Sequence, residues 1–322
     1  MSHCNATTRP RGVFLAEVLA NERLCQEHYR LILDLEHFPP TAPGQFVQLE
    51  CRYPVQQVGA RVVEWEPGEV PQFTQPEFRG SEALLRRPFS LAGRREHAHG
   101  RVELDIIYRT VGTGTHWLPR ARPGDSLSVL GPLGNRFVFR RDRPAAALVG
   151  GGVGIPPMIY LAEVLAAAGK CPVAFAGART ARLLPLRLEP SVPVSKQGRP
   201  APCVSEFSAS GVPSAVATDD GSLGLHGFVH EAFEAWLDRE GLGGEDVVVY
   251  SCGPEAMMRA VAGICEARGI ECQLAMERKM ACGMGTCQAC ILRVRDDNER
   301  GWSYRLCCSD GPVFDARDIV WD

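Results

Sequence analysis

The sequence predicts an antiparallel β-barrel or sandwich, then a doubly wound parallel α/β domain, then a small cysteine-rich module. The fold class therefore combines all-β and α/β parts. Strand patterns fill residues 13–140, strands alternate with helices from residue 145, and the C-terminal region holds closely spaced cysteines. On these three observations we divide the chain into domains 1–142, 143–276 and 277–322.

Composition and charge describe a globular chain with ordinary surface chemistry. Hydrophobic residues make up 45% and charged residues 23%, so a sizeable core is available. The net charge of −3 gives no reason to expect nucleic acid or an acidic membrane surface as a partner. The opening stretch, MSHCNATTRPRG, lacks the apolar segment of a secretory signal. We therefore expect a cytoplasmic protein, whose 13 cysteines are buried residues or metal ligands rather than disulfides.

One stretch could be mistaken for a membrane span. Residues 145–169 are mostly apolar, but glycines and two prolines break their first half. A buried strand, a glycine turn and a helix explain this segment better than insertion into a bilayer does, and we expect no membrane contact.

The first domain is predicted from short β-like segments with turn residues at their edges. They read VFLAEVL, YRLILDLE, GQFVQLE, VELDIIYR and SLSVL, and several alternate apolar and polar residues. Such a series is typical of a small antiparallel barrel. Residues 52–84 interrupt it and contain Pro54, Pro67, Pro71 and Pro76, so we expect a surface excursion there.

From residue 145 the pattern changes to alternating strands and helices. AAALVG predicts a buried strand, and PPMIYLAEVLAAAG predicts a helix with proline in its first turn. The alternation continues through CPVAFAG, SAVATDD, FVHEAFEAWLDRE, DVVVYSCG, PEAMMRAVAGICEARG and IECQLAM. This alternation indicates a parallel, doubly wound sheet. Residues 187–213 are rich in Pro and Ser and are predicted to form a loop.

Three cysteines, Cys282, Cys287 and Cys290, have the spacing C-x4-C-x2-C. Plant-type [2Fe–2S] ferredoxins use this spacing with a fourth, distant cysteine, because four thiolates must converge on two irons. Gly283 and Gly285 would let the loop wrap with its amides towards the cluster. A structural zinc site usually has paired C-x2-C knuckles, and buried or redox-regulatory thiols are a further alternative. The spacing favours the cluster.

A glycine-rich stretch, GGGVGIPP, follows one predicted strand and opens the next helix, which is the context of a phosphate-binding turn. Its glycines are Gly150, Gly151, Gly152 and Gly154. The stretch departs from G-x-G-x-x-G because Ile155 occupies the last position, so a simple tight turn is the alternative. Cys252, Gly253 and Pro254 follow a later strand and would lie at the same carboxyl edge, where open α/β sheets bind ligands.

The first domain offers a third set of candidate residues. In LLRRPFSLAG, Arg87 precedes Ser90 on a predicted strand. An arginine can pair with a pyrophosphate, and a serine hydroxyl can bond the edge of a flavin. IIYRTVGTGTHWL adds Arg109 and a turn, Gly114 and Thr115, that opens a short helix. Each feature alone could be a capped turn or a surface arginine, but their combination with the glycine turn and the cysteine loop favours a flavoprotein.

The order of these motifs resembles a known family, the electron-transfer subunits of NAD-dependent dihydroorotate dehydrogenase, within the ferredoxin–NAD(P) reductase superfamily. The motifs are RRPFS, IIYR, GTGT, GPLGNRF, LVGGGVGIPPM, TDDGSLGLHGF, SCGP, ERKMACGMGTCQAC and CCSDGPVF. The resemblance runs from residue 13 to residue 316, and its cysteine-rich portion is the most specific part.

The resemblance implies a set of binding residues. FAD would be bound by Arg87, Pro88, Phe89, Ser90, Ile107, Tyr108, Arg109, Gly114 and Thr115. NAD, as co-substrate, would be bound by Gly150, Gly151, Gly152, Gly154, Asp220, Cys252, Gly253 and Pro254. The [2Fe–2S] ligands would be Cys282, Cys287, Cys290 and Cys308. The family places its fourth cysteine two residues before DGPVF, which selects Cys308, although the adjacent Cys307 departs from the family pattern.

The resemblance also implies a function and a partner. Electrons from dihydroorotate would enter through an FMN in a catalytic subunit and pass through the cluster and FAD to NAD+, as a step of pyrimidine biosynthesis. A flavin is needed between the nicotinamide and the cluster, because NADH gives two electrons as hydride and the cluster takes one at a time. A (β/α)8 barrel that acts on dihydroorotate needs about 250 residues, so the partner must carry it. We expect a heterotetramer with two copies of each subunit.

Other interpretations remain open from the sequence. A reductase subunit of an oxygenase, hydrogenase or transhydrogenase would keep the flavin and change the partner. A redox sensor would not need the glycine turn, and a zinc scaffold would show no flavin absorbance. Arg179, after the second α/β strand, could meet the 2′-phosphate of NADP or could be a plain surface arginine.

Overall fold

A computed structural model describes residues 11–52, 83, 85–140 and 142–321. These residues form two seven-stranded sheets and one two-stranded hairpin. The segment predicted as a surface excursion, 52–84, lies almost entirely outside the described residues, so that interpretation stays a prediction.

The first sheet is antiparallel throughout. Its strands are β1 (Gly12–Arg23), β2 (His28–Leu35), β3 (Phe46–Leu49), β4 (Arg87–Ser90), β5 (Gly93–Glu96), β6 (Val102–Arg109) and β7 (Ser126–Leu133). Their order across the sheet is β4-β3-β7-β1-β2-β6-β5, and every neighbouring pair is antiparallel. A short helix, α1 (Thr113–Trp117), follows β6. The predicted antiparallel domain is confirmed, and its closure into a flavin-binding barrel stays a prediction.

The two faces of this sheet pack against different neighbours, because successive side chains of a strand point to opposite faces. Leu31 of β2 and Leu104 of β6 are fully buried in the sheet's own core. Ile107, on the opposite face of β6, packs in one cluster with Ile155 and Ile159 of the second domain. The outer face of β6 therefore contributes to the seam between the two domains.

The second sheet is parallel over six strands. They are β8 (Ala145–Gly151), β9 (Cys171–Ala178), β10 (Ser214–Thr218), β11 (Leu225–His226), β12 (Val247–Cys252) and β13 (Glu271–Ala275). The helices of this domain are α2 (Ile155–Ala167), α3 (Ser205–Ser208), α4 (Val229–Glu240) and α5 (Glu255–Ala267). Within the described ranges, no helix combines the length and apolar character needed to cross a membrane.

The strand order fixes where a ligand can approach the second sheet. From β8 the chain moves outward through β9, β10 and β11, and it then returns to place β12 and β13 on the other side of β8. The order therefore reverses between β8 and β12. In open α/β sheets, ligands bind beyond the carboxyl ends of the strands at such a reversal.

The C-terminal residues form a hairpin and then join the second sheet. The hairpin pairs β14 (Ile291–Arg295) with β15 (Trp302–Leu306), and β16 (Val313–Asp315) adds antiparallel to β13. Asn135, which follows β7, donates from its side-chain amide to the carbonyls of Asp310 and Val313 at 2.9 and 2.8 Å. The segment after the last cysteines is thus held by both sheets.

The predicted loop at 187–213 is more ordered in its packing than its composition suggests. It contains α3 and two isolated bridges, Leu188 with Val204 and Ala201 with Ser214. Val204 and Phe207 are fully buried against the second domain. The segment is irregular, as predicted, but it contributes to the core instead of only covering the surface.

Candidate functional site

Two turns meet at the reversal point of the second sheet. The glycine turn, Gly150–Gly154, follows β8, and the turn that begins at Cys252 follows β12. A β-carbon added at Gly154 would overlap the backbone carbonyl of Cys252, and one added at Gly151 would lie 3.1 Å from Pro254 Cδ. The turns therefore pack backbone against backbone, which requires glycine at Gly154. The predicted nucleotide residues of β8 and β12 are brought together here.

Asp220 lies further along the same carboxyl edge, just after β10. Its carboxylate accepts the Ser222 hydroxyl at 2.6 Å and the Ser222 backbone N–H at 3.0 Å. The hydroxyl and amide of Ser222 lower the pKa of this carboxyl. The Asp220 backbone N–H also donates to the carbonyl of Arg179 at 3.2 Å, which ties the loop after β10 to the loop after β9.

In the first domain, Arg87 lies over the start of α1. A β-carbon added at Gly114 would lie 3.0 Å from Arg87 Cγ and 3.3 Å from Arg87 Nε. The arginine donates to the carbonyl of Leu85 at 2.8 Å. An arginine and a helix start are both suited to a diphosphate, and the fold brings these two together from segments 27 residues apart. This contact fits the binding of FAD by the two segments.

Other residues implied for FAD have their side chains engaged within the protein. Thr115 accepts the backbone N–H groups of Val111 and Gly112 at 2.8 and 3.0 Å, so its hydroxyl caps the turn before α1. Tyr108 is buried in the first sheet and donates to Asn21 at 3.1 Å, and burial raises the pKa of its hydroxyl. Phe89 is buried in the same core. Tyr108 and Phe89 can therefore meet a flavin mainly through their backbone.

Arg109 is paired with a carboxylate that the sequence did not single out. Its Nε and Nη2 lie 2.7 and 2.6 Å from the carboxylate of Glu27, in the turn between β1 and β2. The arginine lowers the pKa of Glu27. The neighbouring Gln26 N–H donates to the carbonyl of Arg182 in the second domain at 3.1 Å. The β1–β2 turn thus contacts both Arg109, a candidate FAD residue, and the loop after β9 in the second domain.

The cysteine loop directs backbone amides at sulfur. The N–H groups of Met284 and Cys287 each lie 3.4 Å from Cys282 Sγ. Burial raises the pKa of the Cys282 thiol, but these amide donors outweigh that effect and bring it to about 6. Amides aimed at sulfur stabilise thiolates, the form in which cysteine binds metals. The donor set fits an iron–sulfur cluster.

Cys307 and Cys308 have different surroundings although both are buried. The N–H of Cys308 donates to Cys290 Sγ at 3.4 Å, and burial together with a hydrogen bond to the Cys290 thiol raises the pKa of the Cys308 thiol to about 12. The thiol of Cys307 is fully buried, and burial raises its pKa to about 12. The Cys308 thiol therefore bonds the Cys290 thiol, whereas Cys307 is linked to Cys290 through its backbone N–H, which donates to the Cys290 carbonyl at 3.0 Å.

Across the described part of the chain, no group of three or more His, Cys, Asp or Glu side chains is placed to hold a single ion. A two-iron cluster spreads four thiolates over two metals, so it makes a different geometric demand.

Gln48 is a residue that the sequence reasoning missed. Its side chain is 1% exposed and donates to the carbonyl of Ala281 at 3.3 Å, and a β-carbon added at Gly283 would lie 2.7 Å from its Cδ. On the sheet, Gln48 is directly opposite Pro88 of β4. The cysteine loop therefore packs on the strand next to the candidate flavin strand. A buried glutamine within an apolar strand was the available signal.

Comparison with known proteins agrees with this geometry. The family model for the iron–sulfur cluster binding domain of dihydroorotate dehydrogenase B matches residues 277–320. The electron transfer subunit of dihydroorotate dehydrogenase B (NAD(+)) from Caldanaerobacter subterraneus subsp. tengcongensis is 31% identical, over 95% of this chain and 98% of its own. The same subunit from Bacillus caldolyticus is 36% identical, over 94% of this chain and 100% of its own.

Solved structures show the same fold. The structure of an NADH-dependent reduced ferredoxin–NADP oxidoreductase superposes with a TM-score of 0.68 at 25% identity, covering 96% of this chain and 91% of that one. A cytochrome P450 reductase from Amycolatopsis superposes with a TM-score of 0.55 at 22% identity, covering 81% of this chain and 67% of that one. From the full-length relatives we conclude that the chain belongs to the family of electron transfer subunits of dihydroorotate dehydrogenase B (NAD(+)).

Proposed function

We propose that this chain is the electron-transfer subunit of an NAD-dependent dihydroorotate dehydrogenase and links a catalytic partner to NAD through a [2Fe–2S] cluster and FAD. The observation that carries this proposal is the packing of the cysteine loop on Gln48, directly opposite Pro88 of the candidate flavin strand. Electrons can then cross from one group to the other without a separate carrier. The family membership supports the same conclusion.

The first domain would hold FAD along β4 and the start of α1. Arg87 and the backbone around Gly114 would bind the diphosphate, and Ser90 would bond the edge of the flavin ring. Bound FAD supplies the exchange between the two-electron chemistry of nicotinamide and the one-electron chemistry of an iron–sulfur cluster. Arg109 would approach the same diphosphate while Glu27 holds its orientation. Ile107 lies in the seam between the two domains.

The second domain would hold NAD at the reversal of its strand order. The glycine turn after β8 presents backbone N–H groups at the start of α2, where a pyrophosphate is stabilised. The Cys252–Pro254 turn packs against it and would cover the nicotinamide side. Asp220, two strands away, would meet the adenosine side. These proposed roles rest on the strand order and on the contact between the two turns.

The cysteine module would hold the cluster with Cys282, Cys287, Cys290 and Cys308. Direct contact of the Cys308 thiol with Cys290 supports Cys308 over Cys307 as the fourth ligand. Cys287 is exposed and Met284 is 42% exposed, so the loop reaches the protein surface. An FMN-containing catalytic subunit would dock there, and two copies of each subunit would form the heterotetramer.

Reconstitution tests this function. The chain alone should oxidise NADH with ferricyanide and should not oxidise dihydroorotate. One sheet would bind FAD and the other NAD, so neither provides a site for dihydroorotate. Mixed with the FMN-containing dihydroorotate dehydrogenase subunit of the same cell, it should form a complex that reduces NAD+ with dihydroorotate. The control is the catalytic subunit alone with NAD+. Absence of a complex and of NAD+ reduction would show that the partner is another oxidoreductase.

A further inference from the structure

Gln48 is a buried amide on an otherwise apolar surface. Its side chain is 1% exposed. Phe46, two residues earlier on β3, points to the same side of the sheet, and Leu130 of β7 lies directly opposite Gln48. Phe46 and Leu130 belong to the cluster of apolar side chains that also contains Cys290 and Cys308. The face of β3 that carries Gln48 is thus packed against the cysteine module.

The amide contacts the cysteine loop on both sides of Cys282. Its Nε2 donates to the carbonyl of Ala281 at 3.3 Å. A β-carbon added at Gly283 would lie 2.7, 2.8 and 2.9 Å from the Cδ, Nε2 and Oε1 atoms of Gln48. Gly283 has φ +69°, so the chain turns back over the amide there. Cys282, a candidate cluster ligand, therefore lies between the two residues that Gln48 contacts.

An amide at this position does something that an apolar side chain cannot do. Burying an amide costs free energy that its hydrogen bonds must offset, whereas a methionine or leucine would fill the same space without that cost. Apolar contacts, however, have no preferred direction, so a loop resting on them can shift along the surface. A hydrogen bond to one carbonyl selects one position of the loop. The chemistry of Gln48 therefore suits the placement of the loop more than the stability of the fold.

The cysteine module has a second attachment that does not involve Gln48. The side chain of Asn135 accepts the N–H of Val313 at 2.8 Å and donates to the carbonyls of Asp310 and Val313 at 2.9 and 2.8 Å. In addition, β16 pairs with β13 of the second sheet. Loss of the Gln48 bond would therefore free the cysteine loop while the module stays attached to both sheets.

The strand that carries Gln48 also adjoins the candidate flavin residues. Pro88 of β4 lies directly opposite Gln48, and Ser90 lies directly opposite Phe46. Opposed residues of an antiparallel pair project to the same face of the sheet, so Gln48, Pro88 and Ser90 share one face. One pair of strands thus connects the cysteine loop to the residues implied for FAD. This step rests on the proposed function, in which FAD lies along β4 and the loop holds the cluster.

We propose that Gln48 is a positioning residue whose amide sets the place of the cysteine loop relative to FAD, and thereby the rate of electron exchange between FAD and the cluster. It acts through the backbone on either side of Cys282. When NADH is the donor, FAD takes two electrons as hydride and then passes one electron to the oxidised cluster. The second step forms and breaks no bond, so its rate depends on how the two groups are placed. Hydride transfer to FAD does not involve the loop.

The experiment uses the purified holoprotein and three variants. Gln48→Met and Gln48→Leu both remove the donor and keep an apolar side chain of similar size. Gln45→Met is the matched control, because Gln45 is 2% exposed and bonds Ala42 and Gly134 within the first domain. Each protein is mixed with NADH without oxygen. Flavin absorbance follows the reduction of FAD, and electron paramagnetic resonance of rapidly frozen samples follows the reduction of the cluster.

We expect both Gln48 variants to reduce the cluster about tenfold more slowly than the parent, because the loop is no longer held in one position. Reduction of FAD should stay within about twofold of the parent rate. Amide hydrogen exchange supplies a readout that needs no reaction: exchange in residues 281–287 should be faster in the Gln48 variants, since the loop opens more easily. Gln45→Met should match the parent in all three measurements.

Three results would overturn the proposal. Both Gln48 variants could match the parent in cluster reduction and in loop exchange, or Gln45→Met could show the same changes as they do. Loss of iron from the Gln48 variants would assign Gln48 to assembly of the cluster instead of its placement. Failure of the proposed function looks different, because the parent protein itself would then carry no FAD or no cluster.

Discussion

The nucleotide edge of the second sheet and the cysteine loop are both built on glycines, yet their glycines meet different neighbours. Gly154 packs against the backbone of Cys252, whereas Gly283 packs against the side chain of Gln48. A backbone neighbour cannot move without disturbing its strand, but a glutamine side chain can rotate away. The nucleotide edge is therefore held by a fixed backbone contact, while the cysteine loop rests on an adjustable side-chain contact.

The largest expected effect comes from breaking the rigid contact. Gly154→Ala forces a β-carbon into the Cys252 carbonyl, and overpacking of this kind costs about 1–3 kcal/mol. We expect a clear loss in the free energy of unfolding and loss of NADH binding, measured by denaturant unfolding and by calorimetry with NAD+. Gly263→Ala, within α5, is a useful control, because nothing lies within 4 Å of a β-carbon added there and the position has no positive φ. Normal NAD+ binding by Gly154→Ala would contradict the packing argument.

Gly283→Ala perturbs the side-chain contact of the cysteine loop. Gly283 has φ +69°, so alanine there costs about 1–2 kcal/mol in backbone strain, and the Gln48 side chain must also move. We expect a distorted cluster signal with NADH oxidation by ferricyanide retained. Electron paramagnetic resonance of the reduced protein reports the cluster signal, and a steady-state assay with ferricyanide measures NADH oxidation. A Gly283→Ala variant that loses NADH oxidation but keeps its cluster signal would show that the cysteine loop serves nucleotide binding and not the cluster.

The two adjacent cysteines provide a contrast within the module. Cys308→Ser should lose or strongly shift the cluster signal, because the Cys308 thiol contacts Cys290. Cys307→Ser should keep it, since the two side chains of neighbouring residues face different surroundings. Iron, acid-labile sulfide and the visible spectrum are measured on both proteins after anaerobic purification. An exchange of the two phenotypes would make Cys307 the fourth ligand.

An effect confined to flavin binding is expected at the flavin strand. Arg87→Ala removes a charge-assisted contact to the FAD diphosphate, worth about 1.5–3 kcal/mol, and leaves Gly114 and the backbone of α1 in place. FAD should therefore bind about tenfold or more weakly, measured by release of flavin fluorescence on dilution. Arg86→Ala is the control, because Arg86 donates to Ser128 at 2.8 and 2.7 Å within the sheet. Equal flavin loss in both variants would indicate general destabilisation.

Local patterns predicted the elements, and distant contacts determined what those elements do. The strands, helices and glycine turns could be predicted because each depends on residues close in sequence. Gln48 contacts Ala281 across 233 positions, and Glu27 pairs with Arg109 across 82, so no local pattern could reveal either contact. The burial of the Tyr108 side chain could not be predicted for the same reason, since the motif IIYR does not say which face of β6 meets the core. The segment 187–213 was predicted as a loop from Pro and Ser, but its few apolar residues fill the core.

We propose that electrons pass through the cluster between the catalytic partner and NAD, and Cys287→Ser tests this route. Cys287 is exposed in the cysteine loop, so its replacement disturbs the cluster with little effect on either sheet. Both reactions are measured at steady state for the parent and the variant, with bound FAD quantified in each. We expect NADH oxidation by ferricyanide to be largely retained and dihydroorotate-dependent reduction of NAD+ in the complex to be lost. An intact coupled rate in a variant shown to lack the cluster would contradict it.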